Sequence, residues 1–329
     1  MHASHGQGTA APIVCPPREA LAVIVPRGSL DQLAGVLDRT SAHMTEAERD
    51  TLLARALRSL PALDKSSDID LPVRRLAPLG SEIEARHGSA ARPAFAAALV
   101  AHLGLRLAHQ LPSMGLPDSI IEQYPGTFTR LVEQLSKADL HSYWSGDDHF
   151  LKDIRITGGY SVPCGAQDVD LFSTISRRSG LRSMIVQRDL HYGWAAVRYG
   201  GPPWFRIHTD PRHLQEFNEE GWERCYERIA DLLVPRTAVK GMVGTSWFCD
   251  PQLLAISPRL AYLQTTPLAH GAFLVRHGSG AIHTELATAT SPTRRALAEK
   301  GSYIPVCYSL VWPRAELVRW ASLRPEAMA

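Results

Sequence analysis

The residue types most able to do chemistry lie in Pro203-Trp204-Phe205-Arg206-Ile207-His208-Thr209-Asp210-Pro211-Arg212-His213. An apolar run leads into two histidines and an aspartate, and helix-like sequence follows. Residues separated by one project from the same face of a strand. His208 and Asp210 would then offer an imidazole and a carboxylate to one metal ion. A third ligand from His270, His277 or His283 would complete a two-histidine, one-carboxylate set with open positions for substrate and oxygen. A competing job is structural: Asp210 before Pro211 is a good helix N-cap with proline in the first turn.

A second cluster is Gly244-Thr245-Ser246-Trp247-Phe248-Cys249-Asp250-Pro251, at the end of another strand-like run. Strand C-termini line the ligand crevice of an open α/β sheet. Ser246 and Cys249 would then face His208, Asp210 and Asp250, a set suited to acyl transfer or hydrolysis. No G-x-S-x-G elbow is present. Cys249 also reads as a small buried residue, and Asp250-Pro251 as the start of a turn or helix. In the N-terminal half, His102 and His109 are seven apart and share a helix face.

Two family resemblances follow from these residues. The order His208-x-Asp210, then His283, then Arg294 resembles the iron(II)/2-oxoglutarate dioxygenases. The resemblance implies Fe(II) held by His208, Asp210 and His283, with Arg294 clamping 2-oxoglutarate and an iron-bound oxygen species oxidising a small molecule. The stretch Ser291 to Trp312 (a short basic helix, Gly301, then Tyr-Ser-Leu-Val-Trp) looks similar to the last helix and strands of GNAT acyltransferases. That resemblance implies an acyl-CoA or carrier-bound acyl donor, although the family's pyrophosphate loop has only a loose imitation in Arg276 to Gly280. The expected function is a metal-dependent oxygenase acting on a small molecule; the alternatives are an acyltransferase and a non-catalytic binding protein.

The elements that must position these residues fall into two regions. Residues 1–25 read as a disordered or extended N-terminus. Residues 26–144 read as mainly helical: Leu30, Leu33, Val36 and Leu37 share a face, and Thr45 with Glu48 forms a capping box before Leu52, Leu53, Ala56 and Leu57. Residues 61–79, with three prolines, read as a connection. Pro93 opens an Ala- and Leu-rich helix to about Gln110, and Pro117-Asp118 opens another that Pro125-Gly126 interrupts. Residues 145–329 read as a mixed α/β domain carrying the candidate site, so the class is α+β. Within it Ile154 to Thr157, Tyr160 to Val162, Gln167 to Phe172 and Leu181 to Val186 look like strands, with Gly158-Gly159 as a hairpin turn. Strands at Trp204 to His208, Val239 to Phe248, Ala272 to Arg276 and Tyr308 to Trp312 alternate with helices at 214–233, 292–300 and 313–321.

The chain has 329 residues, 45% hydrophobic and 21% charged, with a net charge of +2. That weak bias gives no case for nucleic acid or membrane binding. The five cysteines, Cys15, Cys164, Cys225, Cys249 and Cys307, form no C-x-x-C pair, which disfavours a thiolate zinc knuckle and suggests a reducing cytoplasm. Neither a P-loop nor a clean dinucleotide fingerprint is present. The expected partner is a small-molecule substrate; nothing fixes the oligomeric state.

Overall fold

The structure, a computed structural model, describes residues 25–62, 68–137, 140, 143–144, 148–175, 177 and 190–324. It is an α+β fold: helices fill the N-terminal half, and a mixed six-stranded sheet occupies the C-terminal half. The helical half comprises α1 (Arg27–Arg39), α2 (Glu46–Ser59), α3 (Leu71–His87), α4 (Ala91–Gln110), α5 (Asp118–Ile121), α6 (Tyr124–Leu135) and α7 (Asp148–Thr157). The Thr45 capping box is formed, with Thr45 Oγ1 accepting from Glu48 N and Glu48 accepting from Thr45 N. Helix α4 is the hub and touches α1, α3 and α7. The segment Ala91–Ser113 is long and apolar enough to cross a membrane, but 67% of its apolar window is buried inside the molecule, as in a core helix.

Proline content misled the reading of 61–79 as a connection, because α3 begins at Leu71. Pro72 occupies its first turn, where a missing N–H costs nothing. Leu76, Leu79 and Ile83 bury the inner face and carry the helix through Pro78. Ile154 to Thr157 is likewise no strand but the end of α7. Phe150 and Ile154, four apart, are both fully buried on one helix face. Gly158-Gly159 closes that helix, with Gly158 N and Gly159 N donating to Ile154 O and Ile156 O. The hairpin turn lies further on, where Cys164 N donates to Gln167 O across Gly165, which has φ +87°. Leu181 to Val186, Cys15 and most of residues 1–25 lie outside the described residues.

The sheet half continues with β1 (Ser161–Pro163), β2 (Asp168–Ser173), α8 (Leu190–Tyr199), β3 (Trp204–His208), α9 (Glu219–Leu233), β4 (Gly241–Ser246), α10 (Leu253–Ile256), α11 (Tyr262–Ala269), β5 (Phe273–Gly278), α12 (Ala281–Thr288), α13 (Pro292–Glu299), β6 (Cys307–Pro313) and α14 (Arg314–Ser322). The strand order is β1-β2-β3-β4-β6-β5. Only β3 and β4 are parallel neighbours among the described strands, and α9 makes their crossover. The main core runs through both halves, from Phe95 and Leu99 on α4 through Phe150 and Ile154 on α7 to Phe205, Met242 and Trp312 in the sheet.

Candidate functional site

Strand register decides which side chains meet. Across β2 and β3, Asp168 stands opposite His208 and Asp170 opposite Arg206. With the twofold alternation of a strand, all four project from one sheet face. His208 reaches diagonally to Asp170, with Nε2 to Oδ2 at 2.7 Å. Asp170 Oδ1 accepts from Ser161 Oγ at 2.5 Å and from Arg155 Nε and Nη2 at 3.1 and 2.9 Å. Arg155 comes from α7 and is buried. Burial alone would raise the Asp170 carboxyl; the charge and hydrogen bond of His208, with Arg155 and Ser161, bring it down to about 2. An ionised carboxylate only accepts, so His208 Nε2 carries the hydrogen of this bond. With that hydrogen on Nε2, the uncharged form of the ring has Nδ1 as its acceptor, the arrangement of a positioned general base.

The pairing of β3 with β4 ends at Ile207 and Gly244. Beyond it His208 stays with β2, while Thr245 and Ser246 stay with Ser309 and Tyr308 of β6. A cavity of about 470 Å³ lies where the two parallel strands part. Ile207, His208 and Thr209 form one wall and Gly244, Thr245 and Ser246 another. Trp222 and Tyr226 from α9, with Trp247 and Phe248, make the rest mostly apolar and aromatic. Behind Thr245, Ser309 Oγ lies 2.5 Å from Thr245 Oγ1 and 2.6 Å from His277 Nε2. Desolvation, with Arg206 and His283 nearby, holds His277 below its ordinary range.

The sequence-predicted residues scatter across this region. His208, Ser246, Cys249 and His283 all line the cavity. Asp210 does not. It is 2% exposed, and its carboxylate accepts from Arg212 N at 2.9 Å and from Arg212 Nη2 at 2.8 Å, capping the 3-10 turn Pro211–Glu216. Burial would raise that carboxyl, but Arg212 holds it well below the usual range. Arg212 also clamps Asp153 of α7 at 2.8 and 3.1 Å, and Tyr143 donates to the same carboxylate. Among the described residues, no three or more His, Cys, Asp or Glu side chains gather to hold one metal ion.

Ser246 Oγ accepts from Phe248 N and caps the short 3-10 turn Trp247–Cys249. Burial, with Cys307 adding to it, pushes the Cys249 thiol up to about 12, which removes thiolate character near neutrality. Asp250 binds Gln252 N and Val306 N, both at 3.0 Å, and so fixes the loop rather than facing His208. Arg294 is buried away from the cavity wall, stacked on Trp247 with 4.7 Å to the ring centroid, and donates to Ala287 O and Ser257 Oγ. His270 ends α11 beside Trp320. His102 lies in the helical half, where burial and then Arg106 lower its pKa.

The residues that sequence reasoning missed are Asp168, Asp170, Ser161 and Arg155. A signal was present: Asp168-Val169-Asp170 puts two carboxylates on one face of a strand, and one face of this strand had to be covered. No known protein family, no curated protein and no solved structure matches the chain.

Proposed function

We propose that the chain is an acyltransferase that moves an acyl group from a thioester, acyl-CoA or a carrier-bound acyl chain, to a small nucleophilic acceptor. The observation that carries this reading is the Arg155–Asp170–His208 chain ending at an apolar cavity between the parting ends of β3 and β4. His208 Nδ1 takes the proton from the acceptor hydroxyl or amine. The acceptor atom bonds to the thioester carbon, the C–S bond breaks, and the imidazolium returns the proton to the departing thiolate. Asp170 keeps the ring in the required tautomer and balances the imidazolium charge. The resemblance of residues 291–312 to GNAT enzymes points to the same chemistry, and α13 and β6 occupy that stretch.

The oxygenase reading keeps His208 and His283 on one cavity, but it asks Asp210 to leave Arg212 and turn to a metal. We also place the protein in a reducing cytoplasm, supported by the unpaired, buried Cys164, Cys225, Cys249 and Cys307.

The deciding assay is thiol release from acyl-CoA and from an acylated carrier protein, with and without amine or alcohol acceptors. His208→Gln and Asp170→Asn are expected to lower the turnover roughly 10²- to 10⁴-fold. The side-chain amide introduced by Asp170→Asn would donate to Nε2 and leave the hydrogen on Nδ1, so the base is lost. Stoichiometric metal in the purified protein, lost in both His208→Ala and Asp210→Ala, would replace this reading with the iron(II)/2-oxoglutarate one.

A further inference from the structure

Strand register places a second polar chain on the sheet face that carries His208. Ile207 pairs with Gly244, so His208 and Thr245 are the next residues along the two parallel strands, one on each side of their parting. Thr245 pairs with Ser309 on β6, and Ser309 pairs with Val275 on β5. By the twofold alternation of strands, His208, Thr245, Ser309 and His277 share one face. Thr245 Oγ1 lies 2.5 Å from Ser309 Oγ, which lies 2.6 Å from His277 Nε2. Ser309 is buried, whereas Thr245 and His208 both line the cavity. The two hydroxyls rotate and can donate or accept, but a carbonyl oxygen only accepts. Against such an oxygen in the cavity, Thr245 Oγ1 donates, Ser309 Oγ donates to Thr245 Oγ1, and His277 Nε2 donates to Ser309 Oγ. Among the described residues, no Asp or Glu lines the cavity to oppose negative charge there.

We propose that Thr245 is a catalytic residue whose hydroxyl donates to the carbonyl oxygen of the thioester, with Ser309 and His277 as positioning residues behind it. Attack on the thioester carbon moves an electron pair onto that oxygen. Collapse of the tetrahedral intermediate returns the pair to C=O as the C–S bond breaks. A donor fixed in place beforehand stabilises the intermediate more than the ground state, so its contribution falls on kcat. Donors in series polarise one another, and charge on the carbonyl oxygen strengthens each bond back to His277. This role rests on the acyl-transfer reading and supplies what His208 does not. His208 moves the proton of the acceptor, and Thr245, across the parting of the strands, holds the charge that develops on the donor.

Steady-state thiol release by the full-length protein tests the role, with Thr245→Val, Thr245→Ser and Ser309→Ala measured beside His208→Gln. Thr245→Val keeps the shape of the side chain and removes its hydroxyl. It is expected to lower kcat roughly 10²- to 10³-fold with KM unchanged. Thr245→Ser restores a hydroxyl and is expected to recover most of that loss. Ser309→Ala leaves Thr245 its hydrogen but not its orientation, and about a tenfold fall in kcat is expected. Parental kcat in Thr245→Val, beside a slow His208→Gln, overturns the donor role and leaves acyl transfer standing. A rise in KM alone, or a Thr245→Ser variant as slow as Thr245→Val, also overturns it. An acyl adduct on Thr245 in intact-mass spectra taken during turnover would make that residue a nucleophile and overturn it as well. Absence of thiol release by the parent overturns both readings. Should Thr245→Val fail to fold, Ser309→Ala reads the same chain, and a parental kcat there overturns the proposal.

Discussion

Asp168 and Asp170 stand two apart on one strand face, yet their surroundings send their carboxyls in opposite directions. Burial pushes Asp168 up to about 6 against the pull of Arg130, whereas His208, Arg155 and Ser161 overcome burial and take Asp170 to about 2. The signs of their pH effects therefore differ. Asp170 stabilises the fold above the unfolded carboxyl value, and that contribution fades as pH falls toward 2. The Asp168 contribution is fully present below the unfolded value and is lost as pH rises through 6. An Asp168→Asn variant carries the neutral form at every pH. It is expected to match the parent near pH 3 and to exceed it at pH 7 by on the order of 2–3 kcal/mol, about two pKa steps at 1.36 kcal/mol each. Urea unfolding at both pH values measures the difference, and an equal gain at the two values would show that Asp168 does not titrate in this window. Residue-scale reasoning from sequence found His208 because an imidazole at a strand end stands out. It missed Asp170 because the partner lies 38 positions away and meets His208 only through the register of two strands. Asp210 drew attention through proximity, but the local bond to Arg212 N is the nearer claim on its carboxylate.

Elements with a strong local signal were legible: the capping box of α2, the alanine-rich α4 and the strand β3 fall where spacing put them. Helix α3 was not, because its prolines hide a buried face whose partners come from distant segments. Gly80 on that helix is one reason it fits. Trp144 lies against it, and a Cβ there would stand 2.6 Å from Trp144 Cζ2. The same indole stacks on Phe150 of α7 at 5.1 Å and lies under Arg92 of α4. Gly80 thus lets three helices share one ring. Gly35, inside α1, has nothing within 4 Å of its Cβ position. Opposite outcomes are expected for the same substitution. Gly35→Ala gains about 0.5–1 kcal/mol from helix propensity. Gly80→Ala receives the same propensity but displaces the indole, for a net loss of about 1–2 kcal/mol. Thermal melts of the two variants against the parent test this, and a stabilised Gly80→Ala would mean that Trp144 has room to move.

At the scale of the molecule, the composition shift near residue 145 suggests a boundary, but the hydrophobic core passes through it. Helix α7 is the reason. It packs on α3 and α4 on one side and meets β1 on the other. It also carries Arg155 to Asp170, Asp153 to Arg212 and Lys152 to the cavity wall. The helical half thus gives α7 the support it needs to hold those side chains against the sheet. Removing that half would uncover Phe150 and Ile154, both fully buried, and leave Arg155 without the Ile69 carbonyl it donates to at 3.2 Å. Burying such side chains stabilises by roughly 1.5–3 kcal/mol each, so their exposure is large beside the margin of a folded protein. The full chain is accordingly expected to melt in one calorimetric transition, with calorimetric and van't Hoff enthalpies in agreement. Fragments 26–144 and 145–329 are expected to lack a cooperative transition when made separately. Two resolved transitions in the full chain, or a 145–329 fragment with a cooperative transition of its own, would make the sheet half self-sufficient. The helical half would then have no part in positioning His208.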